Sequence, residues 1–309
     1  MKVLGIGVGR RNGNSEILLK HALKAIEEEG IEVSYFRLHD YEVKPCTGCE
    51  YCTKFLHAGV TVSCSYPDDA DDYKQIIKMI EESDGYIIAA PAYHLMPPGI
   101  LNVILNRSHG AALGRNPGTI YPERRVCATI GVGGSDWTSL FMPIMNFAAT
   151  EMMGSKMVLV DQMKIHRTPA IGMILCNKEA LERATLLGKN VAAELKKDGP
   201  IEYRGEEGMC PVCHNSIMVV RNGRFACAIC DYEGDPIIED GKIKSIKWDG
   251  GIEITRWSKF GMKHHDEEKL ANVELKREGY VFTEEQKKTI EEGRALWGKY
   301  LDPVMPTRK

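Results

Sequence analysis

Five short apolar runs, each followed by a stretch with helical spacing, occupy the first ~200 residues of this 309-residue chain. Met1–Val8, Ile31–Leu38, Gly85–Ala90, Arg125–Val132 and Lys156–Met163 read as strands. Gly85–Ala90 has no charged or hydrogen-bonding side chain except that of Tyr86, the pattern of a strand buried on both faces. Ser15–Glu29 sets Ile17, Leu18, Leu19, Leu23 and Ile26 on one helical stripe, with Asn14 or Ser15 as its cap. Asp69–Glu82, Ile100–His109, Ser139–Met153 and Asn177–Lys197 read as further helices. Strands alternating with helices in this way form a parallel sheet covered on both faces. Right-handed crossovers give it the doubly wound order 2-1-3-4-5, with ligands bound beyond the carboxyl ends of the strands.

Charge and hydropathy narrow the partners. Forty Lys and Arg against 43 Asp and Glu leave a net charge of -3, which removes any bulk attraction to nucleic acid or membranes. No apolar run approaches the ~20 residues of a membrane span. The first apolar run is cut short by Gly9-Arg10-Arg11-Asn12-Gly13-Asn14, unlike a secretory leader, so a cytoplasmic location is expected.

Three loops fall at the expected edge. Gly9, Arg10, Arg11, Asn12, Asn14 and Ser15 join the first strand to a helix N-terminus, where free N–H groups, guanidinium groups and a hydroxyl suit a phosphate. The loop lacks both the Walker lysine and the Gly-x-Gly-x-x-Gly spacing. Alone, it reads equally well as a tight turn with solvated arginines. Pro91, Ala92, Tyr93, His94, Leu95 and Met96 follow the third strand, and Gly131, Gly133, Gly134 and Ser135 the fourth. Together these loops offer flat backbone, an aromatic face and amide donors, as a planar flavin ring requires.

Eight of the ten cysteines lie in two groups: Cys46, Cys49, Cys52 and Cys64, then Cys210, Cys213, Cys227 and Cys230. Two-residue gaps in a chain of this size point to metal rather than disulfides. Four thiolates on the first loop suit a 4Fe-4S cluster, with zinc and free thiols as alternatives. The second set, two Cys-x2-Cys knuckles thirteen residues apart, reads as a zinc ribbon, with iron possible. Cys127 and Cys176 are expected to be buried packing residues. The acidic run Asp68, Asp69, Asp71 and Asp72 reads as favourable charge on a helix dipole.

These loops, in this order, resemble the NADPH-dependent FMN reductase family, particularly its iron-sulfur flavoprotein branch. The resemblance rests on Arg10–Ser15, Cys46–Cys52, Cys64 with Asp68-Asp69, Pro91–Tyr93 and Gly131–Ser135, and covers residues 1–~197. Val8 stands where the family often has Ser, and Gly9 where Pro is usual. The gap to Cys64, which includes His57 and Gly59, is longer than in the cluster-binding branch. The resemblance implies a flavodoxin-like fold, FMN as cofactor, an iron-sulfur cluster at the first cysteine set, and partner subunits completing the flavin pocket.

Three units are expected: a flavodoxin-like FMN-binding domain (1–198), a zinc-ribbon module (199–250) and a C-terminal helical extension (251–309). In the ribbon, Ser216–Val220, Arg224–Ala226 and Lys242–Trp248 read as short strands. A module this small needs a metal to fold. Trp248, Trp257 and Phe260 among Lys244, Lys247, Arg256 and Lys259 would suit base stacking, but residues 200–265 carry nine basic against ten acidic side chains. Without a basic footprint, nucleic acid is not the expected partner, and the ribbon is expected to cover a domain or subunit edge. His264 and His265 read as solvated surface, and His94 is given no catalytic role.

The tail from Asp266 reads as two polar helices broken at Gly279, with narrow apolar stripes including Leu270, Val273, Ile290, Leu296, Trp297, Tyr300 and Leu301. Such helices gain stability by packing elsewhere, on their own chain or across a homodimer or homotetramer. The expected function is a flavin-dependent oxidoreductase passing electrons between FMN, the cluster and a small acceptor or ferredoxin-like protein, with NAD(P)H as a possible donor. The competing readings are a non-catalytic electron carrier and, more weakly, a zinc-ribbon nucleic-acid module.

Overall fold

Backbone hydrogen bonding joins the five apolar runs into one parallel sheet. The computed structural model describes residues 1–52, 64–108, 125–137, 139–151, 157–206, 208, 210–250, 267, 274–276 and 279–300. The sheet strands are β1 (Lys2–Gly7), β2 (Glu32–Arg37), β3 (Gly85–Pro91), β4 (Arg125–Val132) and β5 (Met157–Ile165), in the order 2-1-3-4-5. The helices between and after them are α1 (Asn14–Glu28), α2 (Tyr73–Glu81), α3 (Gly99–Arg107), α4 (Phe141–Glu151) and α5 (Lys178–Lys196). This is a flavodoxin-like fold.

Each face of the sheet has its own core, because alternate side chains of a strand point to opposite faces. Leu4, Ile6, Tyr86 and Ile88 pack with Ile76, Ile80, Leu101 and Phe141 on one side. Val3, Ile87 and Ala89 pack with Leu18, Leu19, Ile26, Leu187 and Val191 on the other. On that second face α1 and α5 approach so closely that a Cβ on Gly188 would strike the Ala22 carbonyl. The central strand β3 is buried from Gly85 to Ala90, as its unbroken apolar run requires.

The C-terminal third is built differently. Strands β6 (Met218–Arg221), β7 (Arg224–Cys227), β8 (Glu233–Glu239) and β9 (Lys242–Trp248) form an antiparallel sheet in sequence order. Strand β8 went unread in the sequence because Asp235-Pro236 interrupts it; Pro is tolerated where it need not donate to a ladder. The tail also departs from expectation. Near Gly279, where the end of the first helix was expected, β10 (Glu274–Lys276) and β11 (Gly279–Val281) pair as a hairpin, followed by α6 (Glu284–Trp297). Helix α6 opens on a capping box between Thr283 and Gln286 and buries none of its residues. His57, Gly59, Arg256, Trp257, Lys259, Phe260, His264, His265, Leu270, Val273 and Leu301 lie outside the described residues.

Candidate functional site

The loops after β1, β3, β4 and β5 surround a cleft of about 240 Å³ at the carboxyl edge of the sheet. Arg10, Gly13, Asn14 and Ser15 form one wall. Gly13 N–H closes the turn onto the Arg10 carbonyl at 3.1 Å, and Asn12 takes the left-handed conformation, with φ 56. Gly9 sits beneath the turn, where a Cβ would lie 2.7 Å from Ser15 Oγ and 3.1 Å from Pro91 Cδ. Ser15 is buried and lies in the first turn of α1, where backbone N–H groups lack intrahelical partners. One expected donor is already engaged: Asn12 N–H donates to the Glu16 carboxylate at 3.1 Å.

Neither Asn14 nor Ser15 caps α1, whose N-cap is Gly13 with no side-chain bond. The Asn14 amide instead reaches the loop after β5. It donates to the carbonyls of Thr168 (3.1 Å) and Ala170 (2.7 Å), and accepts from Ile174 N–H (3.2 Å). Local propensity suggested a cap, but the tertiary contact engages the side chain.

The second wall is Pro91, Ala92 and Tyr93. Tyr93 and Met96 exchange backbone hydrogen bonds of 2.8 and 3.1 Å around His94 and Leu95, whose φ values are 48 and 67. Two non-glycine residues in the left-handed region make this a strained turn. On the third side Gly133 N–H donates to the Ile165 carbonyl, and its own carbonyl accepts from Thr168 N–H. Arg167 forks onto Asp136 with contacts of 2.6 to 3.0 Å, and that hydrogen bonding holds Asp136 below its usual carboxylate range.

Of the residues proposed from sequence, Arg10, Asn14, Ser15, Pro91, Ala92, Tyr93 and Gly134 line the cleft. Arg11, Asn12, His94, Leu95, Met96, Gly133 and Ser135 lie in the same loops without lining it. Gly131 belongs to β4, where the missing side chain leaves room for Phe141 and Met142 of α4. Val132, Thr168, Pro169 and Ile171 line the cleft but were not singled out from sequence. Arg167-Thr168-Pro169 directly after the fifth strand was the signal available for the last three.

Cys46, Cys49, Cys52 and Cys64 line a second pocket, with Tyr66, Asn106 and Arg107. A hydrogen bond with Ser65 Oγ, at 3.1 Å, lowers the Cys49 thiol pKa, whereas burial raises that of Cys52. The acidic run lies at the start of α2, with Asp72 at its N-cap and Asp71 accepting from Tyr73 N–H at 3.2 Å. The carboxylates of Asp71 and Asp72 also accept from Lys44 and Glu42 N–H, both at 2.8 Å. They anchor the chain entering the cysteine segment.

Cys210, Cys213, Cys227 and Cys230 are buried, with all four Sγ atoms within 4.8 Å of one another. No other set of three or more potential ligands reaches that spacing among the described residues. The Cys210–Cys230 and Cys213–Cys227 sulfurs are 3.6 and 3.4 Å apart. A tetrahedral ion with Zn–S bonds of about 2.3 Å separates its thiolates by roughly 3.8 Å, so this set fits one ion. The thiols perturb one another: hydrogen bonds from Cys210, Cys213 and Cys230 push Cys227 down, and Cys230 is pushed up. Cys46, Cys49, Cys52 and Cys64 are not among the groups that meet that 4.8 Å spacing, although they line one pocket.

The knuckles dock on the edge strand β5. His214 stacks on Tyr203 at 3.7 Å, and its carbonyl accepts from Gln162 Nε2 at 2.8 Å. Asn146 Nδ2 donates to Gln162 Oε1 at 2.7 Å and lies 3.4 Å from Asn215 Oδ1. Burial lowers the His214 pKa to about 4. Cys127 is buried as expected, but Cys176 is exposed, in the short turn Met173–Cys176 after the β5 loop.

Over 289 residues the chain is 27% identical to a flavone synthase of Aspergillus candidus, covering 86% of this chain and 87% of that protein. An iron-sulfur flavoprotein of Methanocaldococcus jannaschii is 37% identical over 136 residues, which are 44% of this chain and 63% of the relative. A solved flavone reductase superposes on 99% of this chain and 100% of its own, with a TM-score of 0.70 at 21% identity, so the two share a fold. Residues 1–162, which hold β1 through β4, most of β5 and three of the four cleft loops, match the NADPH-dependent FMN reductase family. The chain belongs to that family and is a flavin-dependent oxidoreductase.

Proposed function

We propose that the chain passes electrons from a reduced nicotinamide, through FMN in the carboxyl-edge cleft, to a small planar acceptor. The observation that carries this reading is the cleft itself, where a helix N-terminus with Arg10 and Ser15 faces the strained Tyr93 turn. Arg10, Ser15 and the first turn of α1 would hold the phosphate, and Pro91–Tyr93 and Gly134 would face the ring, with Thr168–Ile171 opposite. FMN supplies the electron-transfer chemistry when bound, so the chain's own work is to orient it and limit water. Exposed Tyr93, Trp137 and Ile171 in the cleft loops suit a flat aromatic acceptor. A flavone-like or quinone-like molecule fits that chemistry, and a relative matching most of the chain is named for flavone synthesis.

The same reading gives the Cys46–Cys64 pocket a 4Fe-4S cluster, supported by the four cysteines that line it and by the iron-sulfur flavoprotein relatives. It gives the buried four-cysteine set one zinc, and the boundaries 1–198, 199–250 and 251–309 to the three units. The test is the visible spectrum and metal content of anaerobically purified protein, followed by addition of NADPH with a quinone or a flavone. A yellow protein with about four iron per chain, bleached by NADPH and reoxidised by the acceptor, supports the proposal. Reduction by dithionite or reduced ferredoxin alone would make it an electron carrier instead. A colourless protein would remove the cofactor assignment.

A further inference from the structure

Arg107 ends α3 and lines the pocket of Cys46, Cys49, Cys52 and Cys64, with its side chain only 1% exposed. A guanidinium so far from water needs partners that replace its hydration. Its Nη1 donates to the Asp71 carboxylate and, at 3.1 Å, to the Lys44 carbonyl. The rings of Tyr66 and Tyr73 lie 4.6 and 4.1 Å from the guanidinium carbon. The Asp71 side chain is 3% exposed and also accepts from Lys44 N–H (2.8 Å) and Tyr73 N–H (3.2 Å). Burial opposes its charge, but the Lys44, Arg107 and Tyr73 donors more than reverse this and hold it ionised. Tyr66 OH donates to the Pro45 carbonyl at 3.2 Å. Both flanks of the cysteine segment, Lys44–Pro45 and Tyr66, are thus fastened around one buried ion pair.

One donor in this arrangement has no use. Arg107 Nε is buried and has no hydrogen-bond partner among the described residues. A buried donor left unpaired forfeits its hydration without recompense, so its retention in a pocket lined by four thiols points to an acceptor there. The Arg107–Asp71 pair is neutral as a unit, whereas an iron-sulfur group held by four thiolates is anionic. Positive charge and N–H donors near cluster sulfurs favour the reduced state, which carries one more negative charge.

We propose that Arg107 is a positioning residue that sets the reduction potential of the group held by Cys46, Cys49, Cys52 and Cys64, its Nε–H donating to a sulfur and Asp71 moderating its charge. This rests on the reading that the pocket holds an iron-sulfur cluster. The test is an EPR-monitored redox titration of the full chain, with iron and sulfide measured per chain, none of which depends on turnover. Arg107→Gln removes the charge, and is expected to lower the reduced-to-oxidised ratio at fixed potential about tenfold, 59 mV for a one-electron couple. Asp71→Asn leaves Arg107 uncompensated, and the ratio is expected to move the opposite way.

Opposed shifts support the proposal. Shifts of the same sign, or none with iron content intact, overturn it, because a merely structural clamp would loosen alike in both variants. If Arg107→Gln loses its iron, Arg107→Lys decides: recovered iron at a near wild-type potential supports the charge role, and continued loss overturns it. A wild-type chain that takes up neither iron nor sulfide removes the cluster reading itself, and this inference with it.

Discussion

Arg10 and Ser15 differ from their neighbours in the cleft wall. Asn14 has its amide bound to the loop after β5, and Asn12 its N–H to Glu16, whereas no described contact engages the Arg10 or Ser15 side chain. Charge-assisted hydrogen bonds contribute about 1.5–3 kcal/mol each, so the double change Arg10→Ala with Ser15→Ala is expected to weaken FMN binding severely. Flavin occupancy after gel filtration reads this directly, and full occupancy would move the phosphate elsewhere. Leu95 carries a second residue-scale prediction. A left-handed conformation costs a non-glycine residue about 1–2 kcal/mol, partly offset by the greater unfolded-state entropy of glycine. Leu95→Gly is therefore expected to raise the unfolding midpoint of the cofactor-free protein by a few degrees. A lowered midpoint would mean that this exposed side chain is covered in the working assembly.

Among the elements, the antiparallel sheet with its four buried cysteines stands apart energetically. The two cores flanking the parallel sheet contain none of its cysteines, and its own cluster is little more than the four thiols, Tyr232 and a few half-buried neighbours. So small a core cannot offset the entropy of ordering some forty residues, whereas a bound structural zinc contributes about 10–16 kcal/mol. Cys213→Ser is expected to release about one metal ion per chain and to expose residues 208–250 to protease, with the parallel sheet still folded. Unchanged proteolysis of that segment would refute a structural metal there. The cysteine knuckles contact Tyr203, Gln162 and Asn146 at the edge strand β5 through His214 and Asn215.

At the scale of the whole molecule, the cleft is incomplete. Its volume of about 240 Å³ falls below the roughly 300–1,000 Å³ typical of small-molecule sites. The edge loops leave Tyr93, Leu95, Trp137, Leu140, Ile171 and Leu175 exposed, and α6 presents Leu296 and Trp297 with nothing buried behind them. Exposed apolar side chains on the loops around a site are what a partner subunit would cover. A homodimer or homotetramer that closes the cleft is expected, since closed symmetry is the common arrangement. Light scattering at micromolar concentration checks this, and a monomeric mass with flavin still bound would refute it.

Where the decisive contacts are local in sequence, the chain alone was enough. The alternation of apolar runs such as β3 with helical stripes such as α1 gave the parallel sheet and the edge that carries the cleft, and the paired Cys-x2-Cys knuckles gave the four cysteines that the fold gathers, because periodicity and short spacings act within a few residues. The other features depended on groups far apart in sequence. Asn14 abandoned its capping position for carbonyls 154 and 156 residues away, and Asp71, which accepts from Tyr73 N–H at the start of α2, also takes the distant Arg107 and Lys44 as partners. Thr168, Pro169 and Ile171 became cleft residues only because β5 ends beside β4, and Gly131 was claimed by the packing of α4. A buried polar group must be satisfied by whatever the fold brings next to it, so its partner is chosen by tertiary structure rather than by the sequence around it.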